Sequence, residues 1–175
     1  LRPEGRQGPL TRSLSSYLNY YDRWAHVWES QALLRAAPLA GDLMLAQAFL
    51  AAVEHLRYPD GGLSPEQVTE IRRIKARVEI ERLPKGVDRT LALKLGAGGI
   101  ADVEWTVQLL QLQHGHALPD LRTPRTLPAL QAAVTADLID PADAEVLRQA
   151  WLLSSKVRDA LVLVRGKPTA SLPSS

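Results

Sequence analysis

The chain has 175 residues, of which 46% are hydrophobic and 23% charged, with no cysteine and a formal net charge of +2. Such a length suits one globular domain, or one and a half; the missing cysteines exclude a disulfide scaffold, a thiolate nucleophile, zinc–thiolate sites and iron–sulfur clusters. A charge of +2 over this length makes no strong field for nucleic acid, and with neither an apolar run long enough to span a bilayer nor a signal peptide, a cytoplasmic location is expected.

The chain opens Leu1-Arg2-Pro3-Glu4-Gly5-Arg6-Gln7-Gly8-Pro9, a turn-rich stretch without an initiating Met, and is read as a piece of a longer protein. Residues 1–12 form a loop. Ser13 is a candidate N-cap for a first helix carrying Leu14, Tyr17, Leu18 and Tyr21 on one face; a second short helix holds Trp24, Val27, Trp28, Ala32 and Leu33 and stops at Pro38. A third helix is expected over residues 42–57, with Leu45, Phe49, Ala52, Val53 and Leu56 facing a core. After the breaker Tyr58-Pro59-Asp60-Gly61-Gly62, Ser64 with Pro65 and Gln67 makes a capping box for a fourth helix, whose apolar stripe is Val68, Ile71, Ile74 and Val78 and whose end falls near residues 83–86. Its basic residues Arg72, Arg73, Lys75, Arg77 and Arg82 mix with Glu66, Glu70, Glu79 and Glu81, a pattern that predicts a solvated, ion-paired face rather than a binding patch.

Residues 87–99 read as a connector with a short extended piece at 91–95, leading into Gly96-Ala97-Gly98-Gly99 and a fifth helix that ends near Gly115. A sixth helix follows Thr123, with Leu127, Leu130, Val134 and Leu138 as its stripe. A seventh starts at Asp140-Pro141 and presents Val146, Leu147, Ala150, Leu153, Val157, Leu161 and Val164, leaving through Arg165-Gly166-Lys167-Pro168. No period-two run is present. The expected fold is all-α, a helical bundle of about six to seven helices.

The turn Lys94-Leu95-Gly96-Ala97-Gly98-Gly99 at a helix N-terminus has two readings. Its backbone N–H groups, with Lys94 as a point charge, suit a phosphate; or it is a tight turn with ordinary capping. It is not a Walker loop, because Lys94 precedes the glycines and no Gly-Lys-Ser/Thr follows. Asp102 and Glu104 are about 200° apart on a helix and then share no metal. Asp102 suits the first turn, where the helix dipole favours a carboxylate. Glu104, Gln108 and Gln111 form a narrow polar stripe between Ile100, Val103, Val107 and Leu110 on one flank and Trp105, Leu109 and Leu112 on the other. Either the helix is packed on both flanks, which puts Glu104 in a groove that demands a partner, or the stripe is a solvated strip. The opening arginines Arg2, Arg6 and Arg12 suit phosphate or carboxylate recognition, or a solvated turn. His114-x-His116 has no third ligand nearby, and no nucleophile motif is present.

Leu1 to Leu10, then Trp28-Glu29-Ser30-Gln31-Ala32-Leu33-Leu34-Arg35, Ala40-Gly41-Asp42 and the run from Lys94 to Glu104 occur in this order in a known family. The chain resembles the glutamine synthetase adenylyltransferase family over essentially its whole length; the related PII uridylyltransferases share a similar Gly-Gly-hydrophobe-x-Asp turn. The resemblance implies residues 1–40 as the edge of a nucleotidyltransferase domain with linking helices, residues 41–168 as the helical bundle and 169–175 as a flexible tail. It implies an enzyme that moves AMP from ATP, with Mg2+, onto a tyrosine of glutamine synthetase in one half and removes it by phosphorolysis in the other, with glutamine synthetase and a PII signal protein as partners. The stretch from Trp28 to Arg35 and the charged fourth helix look closer to the adenylylating half. The metal-binding aspartates of the family precede Leu1, so no catalytic or metal-ligating residue is expected here, no cofactor is expected on the chain alone, and the isolated chain is expected to be inactive. Lys94, Gly98, Gly99, Asp102, Glu104, Arg2 and Arg6 are the nucleotide-proximal candidates, the turn serving to position either the triphosphate or the helical domain. Ala101, where the family often has Arg or Thr, and Trp105, where Phe is usual, depart from the pattern. The other reading is a non-catalytic module that docks glutamine synthetase or the PII protein.

Overall fold

Ser13, Asp42, Ser64 and Asp140 each hold the chain extended and accept a hydrogen bond from a backbone amide of the turn that follows, which satisfies one of the unpaired N–H groups every helix start presents. In the computed structural model, which describes residues 3–83, 88–167 and 171–172, eight α-helices result: α1 (Leu14–Trp24), α2 (Val27–Leu33), α3 (Leu43–Ala52), α4 (Glu54–Arg57), α5 (Pro65–Glu81), α6 (Ile100–His114), α7 (Thr126–Thr135) and α8 (Pro141–Arg165). Short 3-10 turns lie at Gly5–Gln7, Arg89–Leu91 and Pro119–Leu121, and no strand is present among the described residues. The all-α class and the bundle architecture follow directly from the capped, amphipathic segments.

The expected third helix is two. Val53 leaves helical geometry at φ −98° and ψ 9°, between α3 and α4, and buries its side chain against Tyr21 and Leu33. The break turns a residue that would otherwise continue the stripe into a core member. The expected extended piece at 91–95 is also different: the chain turns through Leu91 in 3-10 form, and of this piece Ala92 pairs, in an isolated antiparallel bridge to Ser171. Leu172 N–H donates to Leu91 O at 2.8 Å, which holds these two residues of the tail against the connector. The end of the fourth predicted helix at residues 84–86, and Pro168, lie outside the described residues.

Three apolar clusters make the core. Tyr21, Leu33 and Val53 join α1, α2 and the α3–α4 break; Val27, Leu34, Tyr58, Leu63, Ile71 and Leu112 join α2, α5 and α6; Val107, Ala129, Leu130 and Ala144 join α6, α7 and α8. Helix α6 therefore faces two clusters at once. Several residues placed in the core by periodicity are instead exposed: Trp24, Trp28, Leu45, Val146, Leu153 and Val164. On α8, Ala144 and Leu147 pack with the α6–α7 cluster and Val157 and Leu161 are half-buried, while Leu153 is 66% exposed.

Candidate functional site

The glycine turn folds back on itself before α6 begins. Gly96 N–H donates to Ala92 O at 2.8 Å, Gly99 N–H to Gly96 O at 2.9 Å, Ile100 N–H to Leu93 O at 3.0 Å and Ala101 N–H to Lys94 O at 2.9 Å. The amides that normally remain unpaired at a helix start thus have backbone partners. Gly98 sits at φ +71°, a left-handed conformation that a side chain disfavours. A Cβ on Gly99 would lie 2.8 Å from Leu93 O, so the close approach of the two chain segments needs glycine there.

Asp102 closes the turn. Its Oδ2 accepts the Gly98 N–H at 2.7 Å, and its Oδ1 accepts from Lys75 Nζ on α5 at 2.5 Å. Lys75 also pairs with Glu79 one turn along, and Glu79 lies 3.9 Å from Arg89. Burial opposes the charge on Lys75, but the hydrogen bonds and charges of Asp102 and Glu79 outweigh it and raise its pKa above the ordinary lysine value. One carboxylate therefore ties the turn, the start of α6 and the middle of α5 together. Lys94 is exposed, with no ion pair or side-chain hydrogen bond among the described residues.

Glu104 points elsewhere, as two residues of helix require. It pairs with Arg35, just past α2, at 2.6 Å. Further along the same stripe, Gln31 Nε2 donates to Gln108 Oε1 at 2.8 Å, and Gln111 Nε2 donates to Leu121 O and Thr123 O, each at 2.7 Å. Gln108 is 9% and Gln111 3% exposed. The polar stripe is thus buried between two packed flanks, and each member has found a partner on another element. Sequence reasoning asked for a partner for Glu104 without identifying Arg35, and although it named Lys75 and Gln31 it did not join them to Asp102 and Gln108; residue type alone marks none of these pairs.

Glu29, in the Trp28–Arg35 stretch, is buried and accepts hydrogen bonds from Tyr20 Oη at 3.1 Å and from the His26 backbone N–H at 3.1 Å. Its role is to fasten α1 to the start of α2. Burial and the neighbouring Glu29 carboxylate push the Tyr20 hydroxyl up from its ordinary value. In the opening segment Arg12 pairs with Glu4 at 2.5 Å and Arg6 lies in the Gly5–Gln7 turn; Arg2 lies outside the described residues. A cavity of about 560 Å3 lies away from the glycine turn, between α1, α2 and α3, with Tyr17, Tyr21, Leu33 and Phe49 in its wall and Arg35 at its edge. Arg35 thus touches both the cavity and α6.

The ion-paired face expected on α5 is mostly absent. Lys75–Glu79 forms, but Arg73, Arg77 and Arg82 have no carboxylate within ion-pair distance among the described residues. Glu79, the carboxylate within reach of several of these cations, is held by Lys75, and Arg73 and Arg77 are each other's i+4 neighbours. Among the described residues no group of three or more His, Asp or Glu side chains is placed to hold a metal ion, and no helix is long and apolar enough to cross a membrane.

Two family models match. Residues 1–52 match one described as glutamate-ammonia ligase adenylyltransferase, and residues 71–175 match one described as GlnD PII-uridylyltransferase. The chain is 58% identical over 173 residues to a bifunctional glutamine synthetase adenylyltransferase/adenylyl-removing enzyme of Mycolicibacterium smegmatis. It is 60% identical over 173 residues to that of Mycobacterium tuberculosis H37Rv, and 58% identical over 174 residues to that of Streptomyces avermitilis. Each match covers 99% of this chain and 17% of the relative, so the chain spans about a sixth of their length.

Proposed function

Since the chain belongs to the family described as GlnD PII-uridylyltransferase and matches bifunctional glutamine synthetase adenylyltransferase/adenylyl-removing enzymes along nearly its whole length, we propose that it is the helical part of such an enzyme. The whole protein transfers AMP from ATP to a tyrosine of glutamine synthetase, removes it by phosphorolysis, and answers to a PII signal protein. The chain on its own is inactive. Its residues do not fit magnesium: the carboxylates nearest the glycine turn, Asp102 and Glu79, are both engaged by Lys75. Nucleotide and metal chemistry accordingly belongs to other parts of the parent.

The observation that carries this reading is the double engagement of Asp102 by Gly98 N–H and Lys75. With the amides of Gly96, Gly98, Gly99, Ile100 and Ala101 satisfied internally, the turn acts by holding α6 to α5 and by presenting Lys94, a free ammonium, at its exposed edge. Of the two roles the family resemblance implies for this turn, the bonding supports positioning of the helical domain, with Lys94 supplying charge toward a phosphate. The Trp28–Arg35 stretch favours placement in the adenylylating half.

The test uses the full-length parent carrying Asp102→Asn, Glu104→Gln or Lys94→Ala, with AMP transfer and phosphorolytic removal measured separately. Reduced transfer with intact removal is expected. Unchanged labelling of glutamine synthetase refutes the site; loss of removal alone places the chain in the other half; loss confined to low PII concentration favours a docking role over positioning. Calorimetric titration of the isolated chain with Mg·ATP should show no submillimolar binding.

A further inference from the structure

The side of the bundle formed by α2, α5 and α6 carries a groove that the reading above does not use. Two adjoining cavities, about 430 and 420 Å3, share Trp28, Ile74 and Arg77 and run into one another. Toward α6 the groove is bounded by Trp105, Val78 and Arg82, and toward the start of α2 by His26, Arg73 and Glu70. Its floor includes Gln31 and Gln108, which are 5% and 9% exposed. Their mutual hydrogen bond uses Gln31 Nε2 and Gln108 Oε1. That leaves the Gln31 carbonyl and the Gln108 amide nitrogen without a hydrogen bond among the described residues, a donor and an acceptor side by side.

Three guanidiniums without carboxylate partners, a large aromatic surface and a paired amide edge favour an anionic ligand with a hydrogen-bonding backbone. The spacing of the charges decides which anion. Arg73 borders the cavity toward α2, Arg82 the cavity toward α6, and Arg77 both, so the three cations follow the groove. Side chains two residues apart on an extended peptide are separated by about 6.6 Å and share a face. Phosphates of a nucleotide are adjacent and call for cations that converge on one point, whereas these are divided between two adjoining cavities. We propose that the groove docks an extended acidic segment of a partner protein, with acidic side chains at alternate positions against the arginines, an apolar side chain seated between Trp28 and Trp105, and the peptide backbone on the Gln31–Gln108 edge. Glu70 repels carboxylates at the outer end, so the strongest positions face Arg77 and Arg82. The proposal is independent of the glycine turn and of the enzymatic assignment.

The test is fluorescence anisotropy with two labelled peptides of identical composition, one alternating Glu with Leu and Phe and the other with its glutamates contiguous, on the 175-residue chain. The alternating peptide should bind saturably, more weakly as salt rises, and at least about fivefold tighter than the contiguous one. Arg77→Glu with Arg82→Glu should weaken it at least about tenfold, with far-UV circular dichroism unchanged because both side chains are exposed. Trp28→Ala should weaken it as well. Absence of saturable binding, equal binding of both peptides, or insensitivity to charge reversal overturns the proposal. So does binding of ATP that charge reversal abolishes while the peptide fails to bind, which would make the groove a nucleotide site.

Discussion

Replacing Asp102 separates its two engagements. Asp102→Ala removes the carboxylate that accepts Gly98 N–H at 2.7 Å and the ion pair with Lys75 at 2.5 Å. A side-chain cap on a helix-start amide is worth about 1 kcal/mol. The pair is between side chains each about 30% exposed, so solvent screening discounts it to roughly 0.5–1 kcal/mol. The expected loss is about 2 kcal/mol for Asp102→Ala, and about 1 kcal/mol for Asp102→Asn, whose amide oxygen still accepts from Gly98. At this chain length about 1 kcal/mol moves Tm by 2–4 °C, so the alanine variant should melt about 4–8 °C lower. Urea denaturation of wild type, Asp102→Asn, Lys75→Met and the double variant isolates the pair, with an expected coupling of about 0.5–1 kcal/mol. Because the pKa of Lys75 is raised in the folded state, the stabilisation is fully present below the ordinary lysine value of 10.5 and is lost as pH rises beyond it through the raised value. Equal losses for Ala and Asn, or a coupling indistinguishable from zero, would refute the account of Asp102 as the tie between the turn and α5.

Gln111→Leu should cost about 1–2 kcal/mol in urea denaturation, because the half-buried Thr123 carbonyl loses its donor while Leu121 O keeps that of Thr123 N–H; a loss below about 1 kcal/mol would mean that water replaces the amide. Tyr21→Phe should be neutral or slightly stabilising, since the buried Tyr21 hydroxyl has no hydrogen-bond partner. The same substitution should delete the tyrosine that burial pushes up to about 12 in a spectrophotometric titration. At the exposed start of α8, hydrogen bonds from Arg148 and Gln149 bring Glu145 from the model-peptide value of 4.5 down to about 2. Its contribution to stability is present above pH 4.5 and fades toward pH 2, and carboxyl-carbon NMR should show the midpoint moving back toward 4.5 in Arg148→Ala.

The helix starts were legible because capping is local: Ser64, Pro65 and Gln67 form in the structure the capping box that their spacing announces. The stripe of Glu104, Gln108 and Gln111 was visible as a pattern, but a polar line between two apolar flanks is either buried with partners or solvated, and packing decides which. Those partners were not legible. Lys75 lies 27 residues from Asp102, and Gln31 lies 77 from Gln108; a hydrogen bond across such separations is a product of packing, not of spacing. Periodicity identified the apolar side of α8 but carries no information on whether another element covers it, and Val146, Leu153 and Val164 are exposed. The arginines of α5 misled for the opposite reason. Alternating signs look paired in one dimension, yet in helical register Arg73 faces Arg77, and Glu79 is drawn inward by Lys75.

The glycine turn changes meaning once its hydrogen bonds are traced. A row of glycines before a helix suggests open amides, and open amides suggest an anion. Here the glycines permit the reverse: Gly99 lets the chain pass close to Leu93 O, Gly98 supplies the left-handed step, and the amides released by that geometry are taken up by Leu93 O, Lys94 O and Asp102. Anion binding at Gly98 N–H would have to displace the Asp102 carboxylate, which already occupies the position that a phosphate would take there. The charge available to an outside ligand is therefore that of Lys94, held at a fixed edge of a closed turn, and the turn's glycines serve the precision with which α6 meets α5.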